Sequence, residues 1–329
     1  MGNRWEFPPI LTVGFRTHRL AGRGTVLSTR HRYYLWIALS CLSAPIDALE
    51  VTRGTEHLDA DRPEAWAMFY TTTVTLPAGL GTPQTREPGS IDAGIELGSF
   101  PSLGKEERTV GFNGTKEEDL NKAPVFARPR LSIGLPGNFS LVLAYVPPLR
   151  VYGLKPNLFA VILERPLLQH NAWRIGARLY AQTGTVEGDF TCSDNVANKP
   201  PGSPQNPFGC EGKSADEATQ RYAGLELSAS YRFETLRGLS PYLSVSANYL
   251  DTRVRIDAIT FGVKDRTKLM ADSWNQAISA GLSYPINARL SFSAGMFYSP
   301  LKVRRNFAGT GRQNDEFLNF RALLSYRFR

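Results

Sequence analysis

The stretch Leu318-Asn319-Phe320-Arg321-Ala322-Leu323-Leu324-Ser325-Tyr326-Arg327-Phe328, near the end of the 329-residue chain, decides the fold. Leu318, Phe320, Ala322, Leu324, Tyr326 and Phe328 are alternate residues and share one apolar face, the period-two pattern of a β-strand. The same rhythm recurs upstream. In Ile91-Asp92-Ala93-Gly94-Ile95-Glu96-Leu97 one face is aliphatic and the other carries two carboxylates. Between Trp173 and Gln182, Arg174, Gly176, Arg178, Tyr180 and Gln182 oppose Trp173, Ile175, Ala177, Leu179 and Ala181. Further alternating runs cover 223–233, 274–284 and 289–298.

Composition agrees with many short strands and turns: 29 glycines, 22 prolines and 11% aromatics, with only 21% charged residues. The longest charge-free apolar stretch, Tyr33 to Ile46, is 14 residues, short of the roughly 20 that a spanning helix needs. A bundle of membrane helices is excluded. Arg30 and Arg32 precede this stretch and small residues follow it, the order of a secretory signal peptide. Cleavage is expected after Ala48, which makes residues 1–48 an N-terminal extension plus signal. The whole chain carries a net +8, but residues 1–48 hold six arginines against two acids, so half the excess is discarded. A nucleic-acid partner, which the basicity alone would suggest, is therefore not expected. Cys41 falls in the signal, leaving Cys192 and Cys210 as an even pair in an exported chain, expected to form a disulfide. A metal site there would lack a nearby histidine. No cofactor motif stands out.

Alternation alone also suits a soluble sandwich. Three features favour a closed antiparallel transmembrane barrel. The polar faces are rich in Ser and Gly, which suits a crowded interior; the apolar faces end in aromatics such as Trp173, Phe233, Tyr284 and Tyr298; and tight connections alternate with long polar ones. With its alternating aromatics closing on Tyr326 and Phe328, the final strand resembles that of bacterial outer-membrane β-barrel proteins, a porin-like architecture. The resemblance covers about 64–329 and implies recognition of Tyr326 and Phe328 by the barrel-assembly machinery, a location in the outer membrane, and contact with its lipid and lipopolysaccharide. The trailing Arg329 departs from the commonest ending. Twelve strands are expected, near 65–76, 89–98, 106–113, 126–135, 139–146, 157–165, 172–190, 221–233, 241–256, 274–284, 289–298 and 317–328, with 49–63 a short periplasmic lead.

The expected lumen carries Arg130, Arg174, Arg178, Arg232 and Arg321 against Asp92, Glu96 and Glu226. A water-filled lumen so lined would favour anions and serve as a channel or transporter for small solutes. The alternative is a barrel plugged by charges paired across its walls, structural or engaged at the cell surface. Residues 139–146 and 158–163 are apolar on both faces, which reads either as a track for hydrophobic solutes or as a wall packed against an inward-folded loop, with 114–124 the candidate cover. A lipid-modifying enzyme is the third reading, but only His57 and His170 follow the signal and neither sits beside a candidate nucleophile, so no catalytic residue is assigned. The basic run Lys302-Val303-Arg304-Arg305 is expected to face outside.

Overall fold

A computed structural model describes residues 50–305 and 312–328, apart from the side chains of 312–314. The expected signal peptide and Arg329 lie outside the described residues. Ten strands form one antiparallel sheet: β1 (Ile91–Ser99), β2 (Val125–Leu135), β3 (Phe139–Val146), β4 (Lys155–His170), β5 (Trp173–Gly188), β6 (Asp216–Tyr231), β7 (Ser240–Arg255), β8 (Lys268–Pro285), β9 (Leu290–Arg304) and β10 (Arg312–Arg327). Each pairs with its sequence neighbour, and β10 returns to β1 in the register Asp92↔Arg327 to Gly98↔Arg321. The sheet is thereby closed into a barrel, although the β8–β9 and β10–β1 ladders stop short of the loop ends of their strands.

The count is ten rather than about twelve, and both missing strands lie at the N-terminal end. Residues 106–113 form short helical turns and a two-residue strand within the β1–β2 loop. Residues 65–76 belong largely to a helix, α1 (Pro63–Val74), with Pro63 at its first turn and Glu64 at its positive end. Ten of its twelve residues are buried. A helix buried on all sides carries no polar stripe, and its threonine run Thr71-Thr72-Thr73 imitates a strand. In the helix, Thr71 and Thr72 donate back to the carbonyls of Ala67 and Met68 (3.1 and 2.8 Å).

Apolar residues face outward, as Leu97, Leu179, Leu225, Leu243 and Phe320 do. Exposed aromatics bound this band: Trp173, Phe292, Tyr326 and Phe328 near the short turns, and Tyr145, Phe159, Tyr249 and Trp274 near the long loops. On β8 the band runs from Trp274 to Tyr284, about 33 Å along the strand and about 25 Å across a membrane once tilted. The short turns sit at one end, at Pro136–Asn138, Asn171 and Ile286–Arg289, and the long loops at the other. Cys192 and Cys210 are bonded and buried in the β5–β6 loop. Closing a loop of that length contributes about 3 kcal/mol.

Residues 50–62 are not at the short-turn end, where a periplasmic lead to β1 would lie. Glu50–Thr52 pairs in parallel with Val263–Asp265 of the β7–β8 loop, and Thr55–His57 with Lys268–Met270 at the loop end of β8. From there the chain enters the barrel as α1, continues without regular structure through Gly79 and Gly81, both at positive φ, and leaves at the short-turn end to begin β1.

Candidate functional site: the occupied lumen

The inward faces of the strands explain how one chain passes through its own barrel. A Cβ on Gly79 (φ +73°) would lie 2.7 Å from the Ser279 Cβ, and one on Gly176 in the wall would lie 2.8 Å from Pro83. Small residues on wall and plug alike are therefore a packing requirement. The aliphatic wall of Val142, Ala144, Ala160 and Ile162 joins one buried cluster with Trp66, Phe69, Leu76 and Ala78 of the threaded segment and with Leu103 and Val110 of the β1–β2 loop. The cover over this wall is thus largely the segment N-terminal to β1 rather than the expected 114–124, of which Leu120 packs at the cluster's edge.

Charge is arranged in three groups. At mid-height, Glu96 is fully buried and accepts from Arg128 (Nη2 to Oε1, 2.6 Å; Nε to Oε2, 3.0 Å) and from Arg130 (3.0 Å). Beside it, Arg178 bridges Glu164 (2.8 Å) and Glu226 (3.0 Å), while Glu226 also accepts from the Gly79 backbone N–H (3.2 Å). Toward the short turns, Arg86 of the plug pairs with Asp92 (2.9 Å) and Glu164 (3.1 Å).

The remaining donors hold the C-terminal end of α1, whose last carbonyls have no partners within the helix. Arg321 donates to the carbonyls of Thr73 (3.3 Å), Val74 (3.1 Å), Leu76 and Ala78 (2.7 Å), with its guanidinium 3.8 Å from the centre of the Phe297 ring. Arg128 and the Tyr222 hydroxyl each donate to the Thr75 carbonyl at 2.8 Å, and Tyr242 donates to that of Gly79 at 2.9 Å. Cations at the negative end of a helix stabilise it, and here they also anchor it to the wall.

Of the eight lumen residues read from the sequence, Asp92, Glu96, Arg130, Arg178, Glu226 and Arg321 are buried inside, five of them as members of ion pairs. Arg174 and Arg232 sit at the short-turn mouth, with Arg232 paired to Glu234 (2.8 Å). Sequence reasoning missed Arg128 and Tyr222, although they share the parity of the recognised inward residues Arg130 and Glu226, and it missed Glu164, on a strand where it recognised no inward residue; Gln182, read on the polar face with Arg178, is buried inside. It also missed Arg86, which no alternation marks. Of the basic run, Lys302 and Arg304 are exposed, whereas Arg305 is buried against Trp66 and paired to Asp315. His57 lies 2.9 Å from Asp272 at the loop end, and His170 closes β4 at the short-turn end. Among the described residues, no cluster of potential metal ligands occurs.

The closed antiparallel barrel with an apolar, aromatic-bounded exterior is the architecture of bacterial outer-membrane proteins, and the outer membrane is its location. No protein-family model and no curated protein matches the sequence. Similar solved structures include Ail, the attachment invasion locus protein of Yersinia pestis, at 11% identity over 74% of this chain and 100% of that one, with a TM-score of 0.30. The outer membrane protease OmpT of Escherichia coli is 10% identical over 73% and 94%, with a TM-score of 0.37. Neisserial surface protein A is 13% identical over 73% and 95%, with a TM-score of 0.24.

Proposed function

We propose that the protein is a self-plugged barrel that acts at its outer face, as a surface-interaction or structural protein, rather than as an open channel. One observation carries the reading: the arginines buried in the lumen are engaged, Arg130 and Arg178 by carboxylates and Arg321 by the carbonyls of the threaded segment. A cation already neutralised by a buried partner supplies little field to a passing solute. The loop end offers what a contacting surface needs. The β5–β6 loop is stapled by a disulfide, Phe112 stacks on Phe208 of that loop with ring centres 5.5 Å apart, and Leu149, Val151, Tyr152 and Phe261 are exposed.

Planar-bilayer recording of the purified barrel tests this. No steady unitary current is expected, in the native protein or after Arg178→Gln. A stable conductance that changes with Arg178→Gln would restore the channel reading.

A further inference from the structure

The two ends of the barrel are charged differently. At the loop end, cations are interspersed with carboxylates and pair with them, as Lys122 does with Asp119 and Asp189 and Lys264 with Asp257. The short-turn end is made by residues 84–90, 134–139, 164–174, 231–240, 284–290 and 326–328, which contain no lysine. Apart from Arg86 and Glu164, which pair inside the lumen, its charged residues are Arg165, Arg174, Arg232, Arg237, Arg289 and Arg327 against Glu87 and Glu234. Arg232 is paired to Glu234, and Arg327 to the buried Asp92 (3.1 Å). Arg165, Arg174, Arg237 and Arg289 have no carboxylate partner among the described residues. Unpaired cations gathered at one end repel one another and create a positive field there.

Two of these free guanidinium groups are set among the aromatics that bound the lipid band. On β4, Arg165 has the outward parity of Phe159 and Val161, and its guanidinium lies 4.8 Å from the centre of the Phe139 ring. In the β8–β9 turn, Arg289 is exposed, and its Nη1 lies 3.5 Å from the hydroxyl of the outward Tyr326. Such aromatics mark the level at which lipid head groups meet hydrocarbon. A planar guanidinium laid over a ring keeps its N–H edge free for phosphate oxygens, to which it can donate two parallel hydrogen bonds. Arg237, exposed on the β6–β7 turn, adds a third free cation. The acid on that turn, Glu234, is taken by Arg232, so an ammonium brought in with a phosphate finds no partner there, and a head group of net negative charge is what fits. β4 and the β8–β9 turn lie on opposite sides of the ten-stranded sheet, so the surface is a rim and not a pocket.

We propose that the short-turn rim of the barrel binds the head groups of anionic phospholipids in the periplasmic leaflet, through Arg165 and Arg289 at the aromatic level and Arg237 on the turn between them. The rim is independent of the lumen: a conducting barrel would leave it standing, and a closed one would not establish it. Native mass spectrometry of the purified full-length protein, titrated with dimyristoyl phosphatidylglycerol and in parallel with dimyristoyl phosphatidylethanolamine, reads the preference. The phosphatidylglycerol is expected to bind about tenfold more tightly. Arg165→Gln and Arg289→Gln should each weaken it about fivefold, the worth of one basic residue near a charged membrane surface. Arg165→Lys, which keeps the charge, should retain most of the preference, and Arg53→Gln, at an exposed arginine of the loop end, should leave it unchanged. Should Arg165→Gln fail to fold, Arg289→Gln on its exposed turn carries the test. Equal binding of the two lipids, indifference to Arg289→Gln, or an equal loss with Arg53→Gln would overturn the assignment. Co-sedimentation with purified peptidoglycan in place of a lipid preference would give the rim to the cell wall and overturn it too.

Discussion

Glu96 shows what a single inward residue does in this barrel. It is the only carboxylate bonded to Arg128 and Arg130 among the described residues, and all three side chains are almost wholly shielded from water. Removing one partner from such a group strands the others' charge at a cost of about 3–5 kcal/mol. Glu96→Gln keeps the shape and removes the charge, so it is expected to lower stability by about that amount, read as an earlier urea midpoint and a lower temperature of heat-modified gel migration. An unchanged midpoint would show that Glu96 does not hold the arginines. Arg128 was legible in the sequence, two positions before Arg130 on the same face. Glu164 was hidden because the apolar run before it drew attention from parity.

At the scale of elements, the misread segment is α1. Its β-branched run and all-round burial gave no helical stripe, and the conclusive observation, a set of wall donors aimed at its last carbonyls, exists only in three dimensions. The β1–β2 loop was likewise read as a strand at 106–113, where short turns pack instead. In that loop Glu118 pairs with Lys116, and burial, reinforced by the nearby Asp216 and Glu64 carboxylates, outweighs the lysine and pushes its pKa up to about 7. A raised carboxyl binds its proton more tightly in the folded loop than in the unfolded chain. Its contribution is complete below the ordinary value of 4.5 and is lost as pH rises through about 7. Protease cleavage within 100–124 is therefore expected to be faster at about pH 8 than at about pH 5 relative to an exposed control peptide, and Glu118→Gln should flatten the difference. A pH dependence that persists in Glu118→Gln would place its origin elsewhere.

For the whole molecule, alternation and the Ser- and Gly-rich inner faces disclosed a closed barrel with a crowded interior. They did not disclose what crowds it, because the direction in which a lead enters depends on pairings between residues more than 200 positions apart, such as Thr52 with Asp265. The result is a chain that enters its own barrel from the loop end and leaves it by the short-turn end. Short turns mark the periplasmic side of such barrels, so Val51, 42% exposed, belongs on the cell surface and Ile286, 48% exposed in a short turn, on the periplasmic side. The decisive measurement is labelling of Val51→Cys and Ile286→Cys in intact cells with a membrane-impermeant maleimide, the native Cys192 and Cys210 being tied in their disulfide. Labelling at 51, with 286 reacting only after the outer membrane is opened, is the expected result. Protection of 51 until the outer membrane is opened, with 286 labelled at once or not, would contradict a barrel threaded from outside.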